Sequence, residues 1–318
     1  VTHSYAAHQG EGGEVEGSLL GNDKERAALV AMMRLESKRV DWSKLTERLS
    51  ERGSAVLLWE DEHPKDLFGD GGDAAVLQQA ERDIQTWKRA PFQFHTFTDR
   101  SYPSQLRSVR QVPPMVFTHG KLKPGEIGIC VVGSRNATDA GLTFARTICR
   151  YLVDSGLTVI AGLAKGIDTA AHRAALDADG RTVAVLGNGL NRVYPQENRD
   201  LQNEISERGM LLTHFLPEYP PSRWSFPARN VTMSAYGTAT VIVEASEKSG
   251  TRIQAREAVA HGRPVIINAA VVGSTTWGRA LQNEPGVYVA ESAQQAFEHV
   301  QKILHHREMV SQLLGSAR

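Results

Sequence analysis

Cysteine is nearly absent from this sequence of 318 residues: Cys130 and Cys149 are the only two. Two thiols in apolar surroundings are too few for a disulfide framework or a zinc site, and they fit a reducing setting. Long hydrophobic runs are missing as well. No apolar stretch approaches the roughly 18 residues of a membrane span, and the first twenty residues lack the basic-then-apolar order of a signal peptide. The expected location is therefore cytoplasmic, with no membrane partner. Nor is there an excess of one charge, since 36 Lys and Arg balance 36 Asp and Glu. With 41% hydrophobic and 23% charged residues, the composition excludes a polybasic chain and a highly charged disordered one.

The charge is uneven along the chain. Residues 1–100 hold 13 Lys and Arg against 18 Asp and Glu, and residues 101–318 hold 23 against 18. An anion-binding C-terminal portion and an unclustered surface both fit that asymmetry. Two nucleotide-binding signatures are also missing. G-x-G-x-x-G does not follow the first apolar strand, and no acidic residue ends the second to take a ribose hydroxyl, which weighs against a nicotinamide-dependent dehydrogenase. The Walker pattern fails because Lys165 precedes Gly166 instead of following it, which weighs against a P-loop ATPase.

What is present divides into four stretches. Residues 1–22 are rich in Gly, Glu, His and Ser without periodicity and read as a mobile tail. Residues 23–90 read as a small helical unit, with apolar positions such as Ala28, Met32, Leu45, Leu49, Leu77 and Ile84 at helical spacing. Within it, Asp61-Glu62-His63-Pro64 and Gly69-Asp70-Gly71-Gly72-Asp73 are loop punctuation, and no metal is expected there because the acidic spacing is irregular. Residues 91–290 hold short apolar runs alternating with helical stretches, and residues 291–318 form a C-terminal helix and tail, its apolar face made by Ala293, Ala296, Phe297, Val300 and Ile303.

Candidate strands are Ile127–Val132, Leu157–Ala161, Thr182–Leu186, Met210–Phe215, Thr240–Glu244 and Pro264–Asn268. Ile129-Cys130-Val131-Val132 and Val241-Ile242-Val243 are continuously apolar, as strands buried on both faces are. The fold class is α/β: an extended Rossmann-like, doubly wound, mainly parallel sheet with a small N-terminal helical unit. In such sheets ligands bind beyond the C-terminal strand ends.

The loops at those ends carry the candidate chemistry. Gly133-Ser134-Arg135 leads into a helix start, where backbone N–H groups and an arginine suit an anion; a plain βα-turn capped by Thr138 or Asp139 is the structural alternative. Gly162-Leu163-Ala164-Lys165-Gly166-Ile167-Asp168 permits close backbone approach, and Asp168 and His172 share a helical face, either for acid–base work or to cap and fix the loop. Residues 217–230, from Pro217 through Arg223, Trp224, Phe226, Arg229 and Asn230, interleave prolines, arginines and aromatics. They suit an extended loop over single-stranded nucleic acid, or a lid with Trp224 and Phe226 buried. Ser249-Gly250-Thr251 at another helix start forms a further phosphate-sized nest.

Taken together, Val-Gly-Ser-Arg at 132–135, Gly-Leu-Ala-Lys-Gly-Ile-Asp-Thr-Ala-Ala-His at 162–172, Ala-Val-Leu-Gly-Asn-Gly-Leu at 184–190, Tyr-Pro-Gln-Glu-Asn at 194–198, Phe226-Pro227-Ala228-Arg229-Asn230, and Glu244-Ala245 with Ser249-Gly250-Thr251 resemble the DNA-processing protein A (DprA/Smf) family. Asp99-Arg100-Ser101-Tyr102-Pro103 and Pro113-Pro114 resemble its lead-in, so the likeness spans roughly residues 95–265. The resemblance implies a non-enzymatic protein that binds single-stranded DNA in a positive pocket, dimerises, and helps load a RecA-type recombinase during uptake of transforming DNA. Carried over residue by residue, Gly133, Ser134, Arg135, Gly162, Lys165, Gly166, Arg229, Asn230, Ser249, Gly250 and Thr251 would line that pocket, and no cofactor is implied. The chain departs from the family at Val231-Thr232-Met233, where another basic residue is usual, and at Ile267-Asn268-Ala269, where Val-Pro-Gly is usual. Two alternatives remain: a nucleotide-ligand sensor or phosphoribohydrolase-like enzyme, with Glu244 as its carboxylate, and a component of a bacterial defence or toxin–antitoxin pair acting through a protein partner.

Overall fold

The computed structural model of the chain describes residues 23–35, 42–64 and 72–316. The tail at 1–22, the residues Gly69–Gly71 and the last two residues of the C-terminal stretch lie outside them. Four helices come first: α1 (Asp23–Leu35), α2 (Trp42–Arg52), α3 (Ala55–Glu62) and α4 (Gly72–Trp87). Then follow β1 (Gln93–Thr96), α5 (Ser104–Arg107), β2 (Met115–Gly120), β3 (Gly128–Gly133), α6 (Asp139–Asp154), β4 (Thr158–Ala161), α7 (Ile167–Asp177), β5 (Thr182–Val185), α8 (Arg199–Arg208) and β6 (Met210–Thr213). The chain continues through α9 (Ser225–Tyr236), β7 (Ala239–Glu244), α10 (Thr251–Ala260), β8 (Val265–Asn268), α11 (Ala269–Ser274), α12 (Thr276–Leu281), β9 (Val287–Ala290) and α13 (Ala293–Ser316).

The strands form one sheet in the order β1-β2-β6-β5-β4-β3-β7-β8-β9. Pairing is antiparallel for β1–β2 and β2–β6, and parallel from β6 through to β9. The α/β, doubly wound, mainly parallel reading is therefore the observed one. From β3 the chain winds outward through β4, β5 and β6, then returns to lay β7 on the other side of β3. That reversal puts a crevice between the C-terminal ends of β3 and β7.

Burial on both faces explains why β3 reads as a continuous apolar run. Ile129 and Val131 point to the face covered by α6, α7 and α13, while Cys130 and Val132 point to the face covered by α9 and α10. All four are buried. Burial pushes the Cys130 thiol up to about 12, so it packs as a small apolar group. The apolar residues of α13 from Ala293 to Ile303 join the same core as α6. The N-terminal helices share a core with β2, β5, β6 and α8 through residues such as Met32, Leu45, Phe117, Leu186 and Leu211. Trp42 also meets the His214 ring edge-on, 4.1 Å between centroids.

Three strands, β1, β2 and β9, are absent from the sequence-based set. β1 runs from an exposed to a buried end, β2 emerges directly from Pro113-Pro114, and β9 exposes Tyr288, so none shows the fully apolar run of the central strands. The expected strand through Phe215 stops at Thr213, whose hydroxyl accepts from the Phe215 N–H at 3.2 Å and turns the chain. The expected extended segment at 217–230 is likewise shorter: α9 begins at Ser225, and Pro227 occupies its first turn, where the missing N–H removes no helix bond. Asp61 and Glu62 belong to the end of α3 instead of a loop.

Candidate functional site

The crevice at the switch point is an open cleft of about 590 Å³. Its walls are the turn after β3 (Gly133 to Asn136), the turn after β7 (Ser246 to Thr251), the start of α9, and Tyr194. Eight residues singled out from sequence meet there: Gly133, Ser134, Arg135, Arg229, Asn230, Ser249, Gly250 and Thr251. The lining carries four basic side chains, Arg135, Arg223, Arg229 and Lys248, against one acidic group, Asp168. Among the described residues, none of Arg135, Arg223 and Lys248 has a carboxylate partner, whereas Lys165, nearby but outside the cleft, pairs with Glu197. Positive charge is thus left facing the opening.

Aromatic rings border the same opening. The Arg135 guanidinium lies over Phe226, 5.2 Å from the ring centre, and Phe226 lies 5.3 Å from Tyr194. Trp224, just before α9, is 83% exposed, so of the two readings of this segment the lid that buries Trp224 does not hold; Phe226 is half-buried. Aromatic and cationic groups thus adjoin at the opening, rings that can stack on flat groups beside cations that can meet anions.

Beneath the wall, Arg229 is almost fully buried. It donates from Nη1 to the carbonyls of Gly162 (2.5 Å) and Val185 (2.9 Å), and from Nε to the Asn230 carboxamide oxygen (2.9 Å). Its N–H groups therefore hold β4, β5 and α9 together, and its charge acts on the cleft from behind. Asp168 balances it. That carboxylate accepts from the N–H groups of Gly162 (3.0 Å) and Ala164 (3.3 Å), and burial pushes it up against the downward pull of Arg229. His172 joins its ring Nδ1 to the Thr182 hydroxyl at 2.7 Å, and burial pushes it down to about 3. Asp168 is thus a loop-fixing group that sits inside α7 without capping it, and His172 ties α7 to the start of β5 and does not touch the loop, so neither the cap nor the loop-fixing histidine expected from sequence is found.

A family model described as DNA recombination-mediator protein A matches residues 93–305, which include every strand of the sheet. The chain belongs to this family. It is 40% identical over 179 residues to Protein Smf of Synechocystis sp., covering 55% of this chain and 45% of that protein. It is 35% identical over 181 residues to DNA processing protein DprA of Bacillus subtilis, covering 56% of this chain and 59% of that one. The chain thus spans about half the length of these curated relatives. Among solved structures, DNA processing protein A of Streptococcus pneumoniae superposes with a TM-score of 0.67 at 26% identity, covering 88% of this chain and 98% of that one. The Helicobacter pylori protein, whose structure was solved for its single-stranded DNA binding mode, superposes at 0.58 and 23% identity, covering 66% of this chain and 97% of that one.

In this family member three residues carried over by resemblance stand off the cleft wall. Gly162 lies under Arg229: a Cβ there would enter the guanidinium. Gly166 adopts φ +72° and packs on the Ser134 and Arg135 carbonyls, while Ile167 N–H donates to Ser134 O at 3.1 Å. Both glycines allow loops to approach; neither faces the opening. The Lys165 ammonium turns to Glu197.

Glu244 is also committed within the fold. Its carboxylate accepts from the Thr138 N–H (3.1 and 3.2 Å) and hydroxyl (2.6 Å), while that hydroxyl accepts from the Gly141 N–H. A carboxylate therefore neutralises the start of α6, which Thr138 caps as the structural alternative for that turn had it. Arg223, Tyr194, Phe226 and Lys248 were not among the pocket residues expected from sequence, although Tyr194 and Phe226 lie within quoted motifs, Arg223 lies in the segment read as suiting nucleic acid, and Lys248 adjoins the 249–251 turn. Nothing in the sequence pointed to Gln254, which lines the cleft from within α10.

Proposed function

We propose that this chain binds single-stranded DNA along the cleft between β3 and β7, chiefly through its phosphates, and serves as a recombination mediator in DNA processing. The observation that carries the reading is the cleft itself, with four basic groups against one acidic group and a border of aromatic rings at the switch point of a sheet of this family. The Helicobacter pylori relative, described for its single-stranded DNA binding, supports it through the shared fold. Ser134, Arg135, Ser249, Gly250, Thr251 and Lys248 meet the phosphates, with Gly133, Arg229 and Asn230 shaping the wall. Gly162, Lys165 and Gly166 position the loops behind it. On the same reading the chain works as a homodimer in the cytoplasm and delivers the strand to a RecA-type recombinase.

The enzymatic alternative loses its candidate group, because Glu244 is held by Thr138 and does not line the cleft. The test of the main reading is fluorescence anisotropy of a labelled strand of ~30 nucleotides at two salt concentrations, with duplex and free nucleotides as competitors. Binding that is strand-selective and weakens with salt is expected. Folded protein that ignores the strand in low salt would overturn the reading and favour a protein partner.

A further inference from the structure

Gln254 occupies an unusual position. It lies in α10, is 1% exposed, and lines the inner part of the cleft, yet neither its amide nitrogen nor its amide oxygen has a hydrogen-bond partner. Leaving both ends of a buried carboxamide unpaired costs stability, and replacing it with an apolar side chain of similar shape would remove that cost. The cleft's other buried amide behaves differently. Asn230 accepts from Arg229 through its oxygen and donates to the Gly250 carbonyl through its nitrogen.

The chemistry of the unpaired amide narrows what can reach it. A phosphate only accepts hydrogen bonds, so it would satisfy Nε2 and be repelled by Oε1. Both ends are satisfied together by a planar group that carries a donor beside an acceptor. A nucleobase edge is such a group, and the pairing of a glutamine carboxamide with N6 and N7 of adenine is a standard match. The surroundings agree. Met233 is buried, Ile253 is half-buried, and both line the cleft beside Gln254, offering an apolar wall for a flat ring. The basic groups Arg135 and Lys248 are exposed, where the attached phosphate would lie.

We propose that the inner cleft is a nucleobase subsite, in which Gln254 pairs edge-on with one base, adenine best, while Arg135, Lys248 and the 249–251 turn hold the adjoining phosphates. This rests on the nucleic-acid reading of the cleft and adds base contact to a site otherwise read as contacting phosphates alone.

The experiment compares wild type with Gln254→Leu and Gln254→Met, using labelled hexanucleotides in low salt: all-adenine, all-thymine, and an abasic strand with the same number of phosphates. Wild type is expected to bind the adenine strand about tenfold more tightly than the abasic one. Both variants are expected to keep the wild-type affinity for the abasic strand and to lose most of that preference. Their thermal stability should equal or exceed wild type, since an unpaired amide has been removed. Displacement of the adenine strand by the free mononucleotide at similar concentration would assign the same base site to a free nucleotide. Equal, salt-dependent binding of adenine and abasic strands by wild type would overturn the base subsite and leave the nucleic-acid reading standing. If the folded protein bound no strand at all, both would fall.

Discussion

Two polar clusters at opposite ends of the central sheet, one around Glu126 and one in the cleft, are partnered in opposite ways. At the N-terminal edge, Glu126 is buried ahead of β3 and accepts from the Thr158 hydroxyl (2.7 Å), the Tyr236 hydroxyl (2.9 Å) and the Arg181 guanidinium. Arg181 also reaches the Lys121 carbonyl, and Gln105 donates to the Glu126 carbonyl at 2.9 Å. Burial and the Glu126 charge together hold the Tyr236 phenol well above its usual range. At the C-terminal edge, among the described residues, three cations lack carboxylate partners and a buried carboxamide has both ends unpaired. The Glu126 cluster completes its hydrogen bonds internally and so serves the fold. The cleft leaves them open, and on the proposed reading a bound strand completes them.

The sharpest way to break the comparison is Glu126→Ala. It leaves Arg181 without its carboxylate and the Tyr236 hydroxyl without its acceptor in a buried setting, so stability should fall by about 3–5 kcal/mol. Denaturant unfolding measures the loss, and strand binding by the folded fraction should be unchanged.

A smaller effect is expected from Arg229→Lys, because Arg229 belongs to both the fold and the site. Lysine keeps the charge but cannot hold the Gly162 and Val185 carbonyls and Asn230 together, so about 1–3 kcal/mol of stability should be lost. The salt dependence of strand binding should barely move. A large loss of binding with full stability would instead make Arg229 a direct phosphate contact.

Arg135→Ala should have the smallest structural effect, since Arg135 is exposed and makes only a cation–π contact with Phe226. Strand affinity should fall for every sequence, and the log–log salt slope should drop by about 1. Unchanged melting beside this change in slope would sharpen the contrast between the edges. An unchanged slope would remove Arg135 from the interface.

Legibility in the sequence follows the same physics. The six parallel strands β3 to β8 stood out because burial on both faces demands unbroken apolar runs. Strands β1, β2 and β9 lie toward the sheet's margins or pair antiparallel, and their mixed patterns resemble loops. The turns at 133–135 and 249–251 were visible because small residues before a helix are a local signature. Arg229 was visible as a residue, but its burial under the wall was not. Gln254 could not be found, because a glutamine in the middle of a helix is ordinary until its neighbours are known.

The sequence by itself determined the alternation of strands and helices, the doubly wound class, and the loops on which a ligand site would fall. These depend on periodicity and on residues adjacent in the chain. Only the tertiary structure decided which charges are committed and which are free: that Glu244 closes on Thr138, that Lys165 turns to Glu197, that Arg229 works from behind, and that Gln254 stands unpaired in the cleft. Hydrogen bonds and ion pairs between residues far apart in the chain are set by how the elements converge, and no local pattern carries that information.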